Sequence, residues 1–111
     1  MPNTPVIVRE GMTGLYAGPG ASRNELRLAA AVFESVGKVA VVDDEDLLNP
    51  VTGLSGSGPA YVFLFMEALT EAGVKAGLSE ADSKTLAIQT TLGAARLAAE
   101  SDKTLPELRK M

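Results

Sequence analysis

The sequence contains no cysteine, no histidine and no tryptophan. Without cysteine the chain can form neither a disulfide bond nor a thiolate metal site. Without histidine it lacks the most common general base and the most common zinc ligand. The sequence therefore excludes thiol chemistry and the usual histidine-based catalysis, and we predict no metal site.

Clustered positive charge and long apolar runs are also absent. The chain has 10 Lys and Arg residues against 14 Asp and Glu residues, and its net charge is −4. Nucleic-acid binding needs a basic patch, so we expect no nucleic-acid partner. The apolar run at 60–66 is too short to cross a bilayer, and no signal segment stands at the N-terminus. We therefore expect a cytoplasmic protein with no membrane partner. Hydrophobic residues make up 46% of the sequence, which predicts a globular protein.

Residues 1–42 alternate between strand and helix patterns, and residues 43–50 form a connection. The β-branched run Val6–Val8, a weaker run at 12–17 and the continuous apolar run Val39–Val42 predict short strands, the last of them covered on both faces. Ser22 and Glu25 have the spacing of a capping box, and apolar residues follow at helical intervals. This half resembles the end of an α/β sheet that needs further strands to be buried.

The acidic run Asp43–Asp46 has two interpretations. Four neighbouring carboxylates can be read as a magnesium site. Acidic residues are also favoured at the start of a helix, where they face the positive end of its dipole. We favour a solvated helix start.

Residues 51–111 have a helical pattern after Pro59. The run at 60–66 is apolar on every side, so a helix there needs a partner subunit to cover it. We predict helices over 59–76 and 80–100, with Ser79 as the cap of the second, and a third helix opened by a Thr104–Glu107 capping box. Small residues on the second helix permit close helix approach; they are Ala87, Thr91, Gly93, Ala94, Ala95 and Ala98.

The stretch Val51–Tyr61, VTGLSGSGPAY, is rich in glycine and serine and ends where a helix begins. Its proline suits a first helical turn. Glycines let a ligand approach the backbone, and free N–H groups at a helix start attract anions such as carboxylates. An ordinary turn before a helix and a ligand pocket both remain open.

Three segments in order, MPNTP at Met1–Pro5, EGMT at Glu10–Thr13 and VTGLSGSGPAYVF at Val51–Phe63, closely resemble pyrroline-5-carboxylate reductases. Residues 64–111 resemble the helical domain of that family. Its members are longer, with a glycine-rich nucleotide fingerprint upstream and a Ser-Pro-Gly-Gly-Thr-Thr segment downstream. The resemblance implies that this chain is a central piece of such an enzyme and is inactive alone. Residues 1–50 are then the end of a Rossmann domain, and residues 51–111 are part of an all-α dimerisation domain. The chain is expected to be predominantly helical.

The resemblance also implies the reaction, in which NADPH or NADH reduces 1-pyrroline-5-carboxylate to L-proline as the last step of proline biosynthesis. The enzyme is expected to be a homo-oligomer, at least a dimer, joined through its helices. The alternative is a non-catalytic helical dimerisation module derived from such a reductase.

The resemblance places Pro2 and Asn3 beside the cofactor and Ser55, Gly56, Ser57 and Gly58 at the substrate, and it identifies no catalytic proton donor. A plain turn is the other interpretation of Asn3.

Two further features suggest catalysis but have ordinary structural explanations. Tyr61 is interpreted as a packing residue, since its helical neighbours are apolar. Glu67 and Glu71 form an i, i+4 carboxylate pair, which we interpret as part of a solvated face rather than as an acid–base pair.

Overall fold

The computed structural model describes residues 1–111, and the chain divides into two compact units, Met1–Val62 and Phe63–Met111. A small parallel sheet with its helix comes first along the chain, and helices follow to the end. The fold class expected from the sequence, an α/β piece followed by helices with helix predominating, is therefore confirmed. None of the helices combines the length and apolar character needed to cross a bilayer.

The first unit contains a β–α–β motif. Strand β1 (Gly11–Tyr16) pairs in parallel with β2 (Gly37–Val42), in register from the first residue of each to the last. Helix α1 (Arg23–Glu34) makes the crossover and contacts both strands. Parallel strands joined by a helix are the building unit of Rossmann sheets.

The predicted capping box of α1 is confirmed. The Ser22 Oγ accepts the Glu25 N–H at 3.2 Å, and the Ser22 N–H donates to Glu25 Oε2 at 2.7 Å. The prediction that residues 39–42 are covered on both faces is wrong within this chain, because Val41 is 56% exposed. Here β2 has one neighbouring strand, and α1 is its covering helix.

The predicted strand at Val6–Val8 is also wrong. Residues Thr4–Val8 form a 3₁₀ turn, which ends at Arg9 in the left-handed conformation. Pro5 explains the difference, because its fixed φ suits a helical turn and it has no N–H for a sheet. Met1 lies beside β1 instead and exchanges two backbone hydrogen bonds with Gly14, of 2.8 and 3.0 Å.

The acidic connection is a helix start, which confirms the favoured interpretation. Asp44 Oδ1 accepts the Asp46 N–H at 2.9 Å and so caps a 3₁₀ turn at Glu45–Leu47. Helix α2 (Leu48–Val51) follows directly and runs into a single π-helical turn at Thr52–Gly56.

The remaining helices are α3 (Gly58–Lys75), α4 (Glu80–Glu100) and α5 (Leu105–Arg109). The predicted caps are confirmed: Ser79 Oγ accepts the Asp82 N–H at 3.0 Å, and Thr104 forms a capping box with Glu107. Each of these bonds satisfies an amide that would otherwise lack a partner at a helix start.

Large apolar side chains on α3 and α4 are mostly exposed, and Phe63 and Leu64 reach 60% and 65%. A helix with no polar face is stable in water only when it is covered. The most exposed members on the two helices are Tyr61, Phe63, Leu64, Phe65, Leu86, Leu92 and Leu97.

Candidate ligand-binding site

The glycine-rich stretch winds into a wide helical turn rather than an open loop. The Ser57 N–H donates to the Thr52 carbonyl at 2.8 Å, a bond that spans five residues. Within the turn, Thr52 Oγ1 donates to the Leu48 carbonyl at 2.7 Å and Ser55 Oγ to the Val51 carbonyl at 3.1 Å. Single π turns are rare, and they recur at functional sites.

The prediction that backbone N–H groups at this helix start are free to meet a ligand is wrong for two of them. The Ser57 N–H is bonded to Thr52, and the Ala60 N–H donates to the Ser57 carbonyl at 3.0 Å. The glycines allow the backbone to wind and close these bonds. The Ser57 hydroxyl has no hydrogen bond within the chain and is therefore a polar group that the turn leaves available.

Asn3 connects this turn to the start of the chain. Its Oδ1 accepts the Met12 N–H at 2.9 Å, and its Nδ2 donates to the Ser55 carbonyl at 3.0 Å. Although Asn3 stands at the start of a 3₁₀ turn, its side chain does not cap that turn. The structure thus brings together the two segments that the sequence predicted as cofactor-side and substrate-side, across 52 residues.

One close approach and one ordinary contact place the same region beside β1 and Met1. A Cβ placed on Gly14 would lie 2.6 Å from Val51 Cγ1, so β1 and α2 touch where glycine leaves room. A Cβ on Gly56 would lie 3.7 Å from Met1 Sδ, an ordinary contact distance. The π turn is therefore held by Met1, Asn3 and Gly14 within the first unit.

The outer side of the turn is open. Apart from adjacent residues and the backbone of the same helix, no atom lies within 4 Å of the position that a Cβ would take on Gly53 or on Gly58. Pro2 is exposed, and Ser57 and Gly58 are half-buried. A flat ligand can therefore reach the backbone at Gly58 without displacing a side chain of this chain.

The other candidates lie outside this arrangement. Tyr61 is 58% exposed, and Glu71 forms an exposed ion pair with Lys75 at 3.6 Å, an arrangement typical of a solvated helix face. No group of three or more acidic, histidine or cysteine side chains is arranged to hold a metal ion.

Sequence reasoning missed two groups at the site, the Met12 N–H and the Ser55 carbonyl. Both are backbone groups, and every non-proline residue carries the same pair. No side-chain pattern marks them, so only the fold can reveal that they face one asparagine.

A β–α–β motif followed by long helices with exposed apolar faces defines an α/β protein that continues into a helical segment. A family model described as pyrroline-5-carboxylate reductase dimerisation matches residues 45–111. The chain belongs to the pyrroline-5-carboxylate reductase family.

Curated relatives carry the same name. The chain is 46% identical over 110 residues to the pyrroline-5-carboxylate reductase of Pseudomonas aeruginosa, covering 99% of this chain and 40% of that protein. It is 46% identical over 103 residues to the Arabidopsis thaliana enzyme, covering 93% of this chain and 37% of that protein. The chain thus spans about two fifths of the length of these relatives.

Solved structures of the family match the fold. The Coxiella burnetii pyrroline-5-carboxylate reductase superposes with a TM-score of 0.94 at 45% identity, covering 99% of this chain and 41% of that one. The Plasmodium falciparum pyrroline carboxylate reductase, solved with NADP bound, gives 0.91 at 36% identity, with 99% and 44% covered.

Proposed function

We propose that this chain forms part of an oxidoreductase that reduces 1-pyrroline-5-carboxylate to L-proline with NADPH or NADH, the last step of proline biosynthesis. Membership of the family supports the reaction, and NADP in the Plasmodium relative supports the cofactor. Because these 111 residues cover about 40% of the relatives' length, we expect them to be inactive on their own.

The observation that carries this proposal is the hydrogen bond between Asn3 and Ser55. Hydride transfer requires a cofactor and a substrate held side by side in a fixed orientation. We assign the cofactor side to Pro2 and Asn3 and the substrate side to the segment Ser55–Gly58. A single side chain joins these two segments, so they can line one pocket.

The residues present fit a nicotinamide, because the backbone at Gly58 is open and Pro2 is exposed. When bound, the reduced cofactor supplies the hydride. The imine of the substrate protonates readily, so hydride addition to its carbon needs orientation more than a nucleophile. We assign no residue of this chain as the proton donor.

Ser55 and Ser57 take different roles in this proposal. Ser55 Oγ donates to the Val51 carbonyl and so stabilises the turn. Ser57 has a free hydroxyl and lies just before α3, where the helix dipole favours a negative group. Ser57 is therefore the proposed hydrogen-bond donor to the substrate carboxylate, with Gly56 and Gly58 giving the substrate access to the backbone.

We also propose that residues 1–50 form the end of the nucleotide-binding domain and that residues 51–111 belong to the helical dimerisation domain. The start of the matched family model at residue 45 supports this division. A second copy of the chain, packed through α3 and α4, would cover the apolar side chains described above. The cytoplasmic location stays a prediction.

The alternative is a dimerisation module without catalysis, favoured by the exposed apolar residues of α3 and α4. Activity separates the two proposals. The full natural protein, mixed with NADPH and 1-pyrroline-5-carboxylate, is expected to oxidise NADPH and release L-proline, followed by absorbance and mass spectrometry. Self-association without proline formation would favour the module.

Matched variants test the site. Ser57→Ala is expected to raise KM for the imino acid about tenfold or more, since a hydrogen bond to a charged group is lost. Gly58→Ala should also raise KM, because its side chain would occupy the open approach. Ser35→Ala and Gly18→Ala are the controls, since Ser35 is exposed and Gly18 has no neighbour within 4 Å. Unchanged kcat and KM in both site variants would refute the assignment.

A further inference from the structure

Both polar ends of the Asn3 side chain are used within the chain. One end accepts the N–H of Met12 and the other donates to the carbonyl of Ser55, at 2.9 and 3.0 Å. A carboxamide carries an acceptor oxygen and donor hydrogens at a fixed separation. It therefore matches a site that offers one backbone donor and one backbone acceptor, whereas a carboxylate would place a negative oxygen against the Ser55 carbonyl.

Besides Asn3, the hydroxyls of Thr52 and Ser55 bond this turn to α2 and Met1 lies beside it, but the sequence of the turn itself gives its backbone considerable freedom. Two of the five residues of Thr52–Gly56 are glycines, and Gly53 has no neighbour within 4 Å of its Cβ position. Glycine has more backbone freedom than any other residue. The position of Ser57 consequently depends on the bond from its N–H to Thr52 and on anchors from outside the turn.

We infer that Asn3 is a positioning residue, which holds the Ser55–Gly58 segment in place through its hydrogen bond to the Ser55 carbonyl. This inference rests on the proposed function, because it assigns Ser55–Gly58 to the substrate. It also separates two roles of one residue. The Asn3 side chain positions the substrate-side segment, while its backbone belongs to the cofactor-side segment. A change at Asn3 should therefore act first on binding of the imino acid.

Four forms of the full natural protein test this: wild type, Asn3→Ala, Gly53→Ala and the double variant. Asn3→Ala is expected to raise KM for the imino acid about fivefold to tenfold, as for one lost hydrogen bond, with a smaller change in KM for NADPH. Alanine at position 53 restricts the turn without meeting any atom beyond the adjacent residues and the turn's own backbone. The double variant should therefore recover several-fold of the lost kcat/KM relative to Asn3→Ala.

Direct contact between Asn3 and the cofactor predicts different results. The main effect would then fall on KM for NADPH, and Gly53→Ala would give no recovery. Either result overturns the positioning role. Asn3→Asp provides a conservative comparison: it keeps the acceptor for Met12 but lacks the donor for Ser55, so it should be no better than Asn3→Ala. Wild-type activity in Asn3→Asp would also overturn the inference.

Hydrogen exchange supplies a readout that does not depend on activity. Without ligand, the Ser57 amide should exchange faster in Asn3→Ala than in wild type, and Gly53→Ala should slow it again. Equal exchange of the Ser57 amide in wild type and Asn3→Ala would refute the positioning role of Asn3. A wild-type protein that forms no proline would refute the proposed function, and the exchange comparison would still decide whether Asn3 holds the turn.

Discussion

Gly73 on α3 and Ser83 on α4 lie in contact with each other. A Cβ placed on Gly73 would lie 2.6 Å from Ser83 Oγ and 3.0 Å from Ser83 Cβ. Ser83 is 2% exposed, and its hydroxyl has no hydrogen-bond partner within the chain. Both residues line a cavity of about 200 Å³ whose other walls are mostly apolar. The contact thus depends on the absence of a side chain at residue 73.

We expect Gly73→Ala to lower the free energy of unfolding by about 1–3 kcal/mol, because the added methyl group overpacks the contact. Ser83→Ala should instead raise it by about 1 kcal/mol, since it removes an unpaired buried hydroxyl. Urea denaturation of the single and double variants measures both effects. In the double variant the destabilisation by Gly73→Ala should shrink. A strong loss of stability in Ser83→Ala would contradict this account.

Gly14 provides a second packing test. Its missing side chain leaves room for Val51 Cγ1, which would lie 2.6 Å from a Cβ there. Gly14→Ala should lower the free energy of unfolding by about 1–3 kcal/mol, and Val51→Ala in the same chain should restore part of it. Gly18→Ala is the control, because no atom lies within 4 Å of its Cβ position. Equal effects at residues 14 and 18 would refute the packing explanation.

Glu25 makes the start of α1 sensitive to acid. The backbone hydrogen bond from Ser22, together with the Ser22 side chain, lowers the pKa of Glu25 below its ordinary value of 4.5. A lowered folded-state pKa adds stability above the unfolded value, and this stability is lost as the pH falls through the folded value. Below pH 4.5 the first turn of α1 should therefore fray. Amide exchange at Glu25 measures this fraying, and Glu25→Gln should remove most of its pH dependence.

Phe65 tests the proposed association through α3. It is 57% exposed in the single chain, so Phe65→Asp should leave the fold intact while placing a charge in the proposed interface. We expect the dissociation constant of the full natural protein to rise about a hundredfold or more, as seen in sedimentation velocity. Leu28→Asp on α1, where Leu28 is 69% exposed, is the control. A monomeric wild type, or no difference between the two variants, would contradict the proposal.

The helix starts could be predicted because their signals are local. Ser22 and Glu25 stand three residues apart and form the reciprocal bonds that the spacing predicted, and Thr104 donates from both its N–H and its hydroxyl to Glu107 at the same spacing. The strand prediction at Val6–Val8 failed because β-branched residues favour strands only where a partner strand exists, whereas Pro5 favours a helical turn. A local signal predicts structure when the bonds it implies are also local.

The candidate site was predictable only in part. Its residue types were recognisable from the resemblance, but the π turn and the pairing of Asn3 with Ser55 were not. Nothing in the spacing of Gly53 and Gly56 distinguishes a wide helical turn from an open loop, since glycine permits both. The hydrogen bond from Asn3 joins residues that are 52 positions apart in the sequence. The folding of the intervening β–α–β motif brings these two residues together, and no residue near either of them signals the contact.

The separation of Asn3 and Ser55 also sets the order in which this region can fold. Their hydrogen bond encloses β1, α1 and β2, so closing it early would cost chain entropy before any sheet contact compensates. We expect the β–α–β motif to form first and the pocket to be completed last. Under rising denaturant the sequence of events reverses, and the capacity to bind ligand should disappear while most of the helical structure persists.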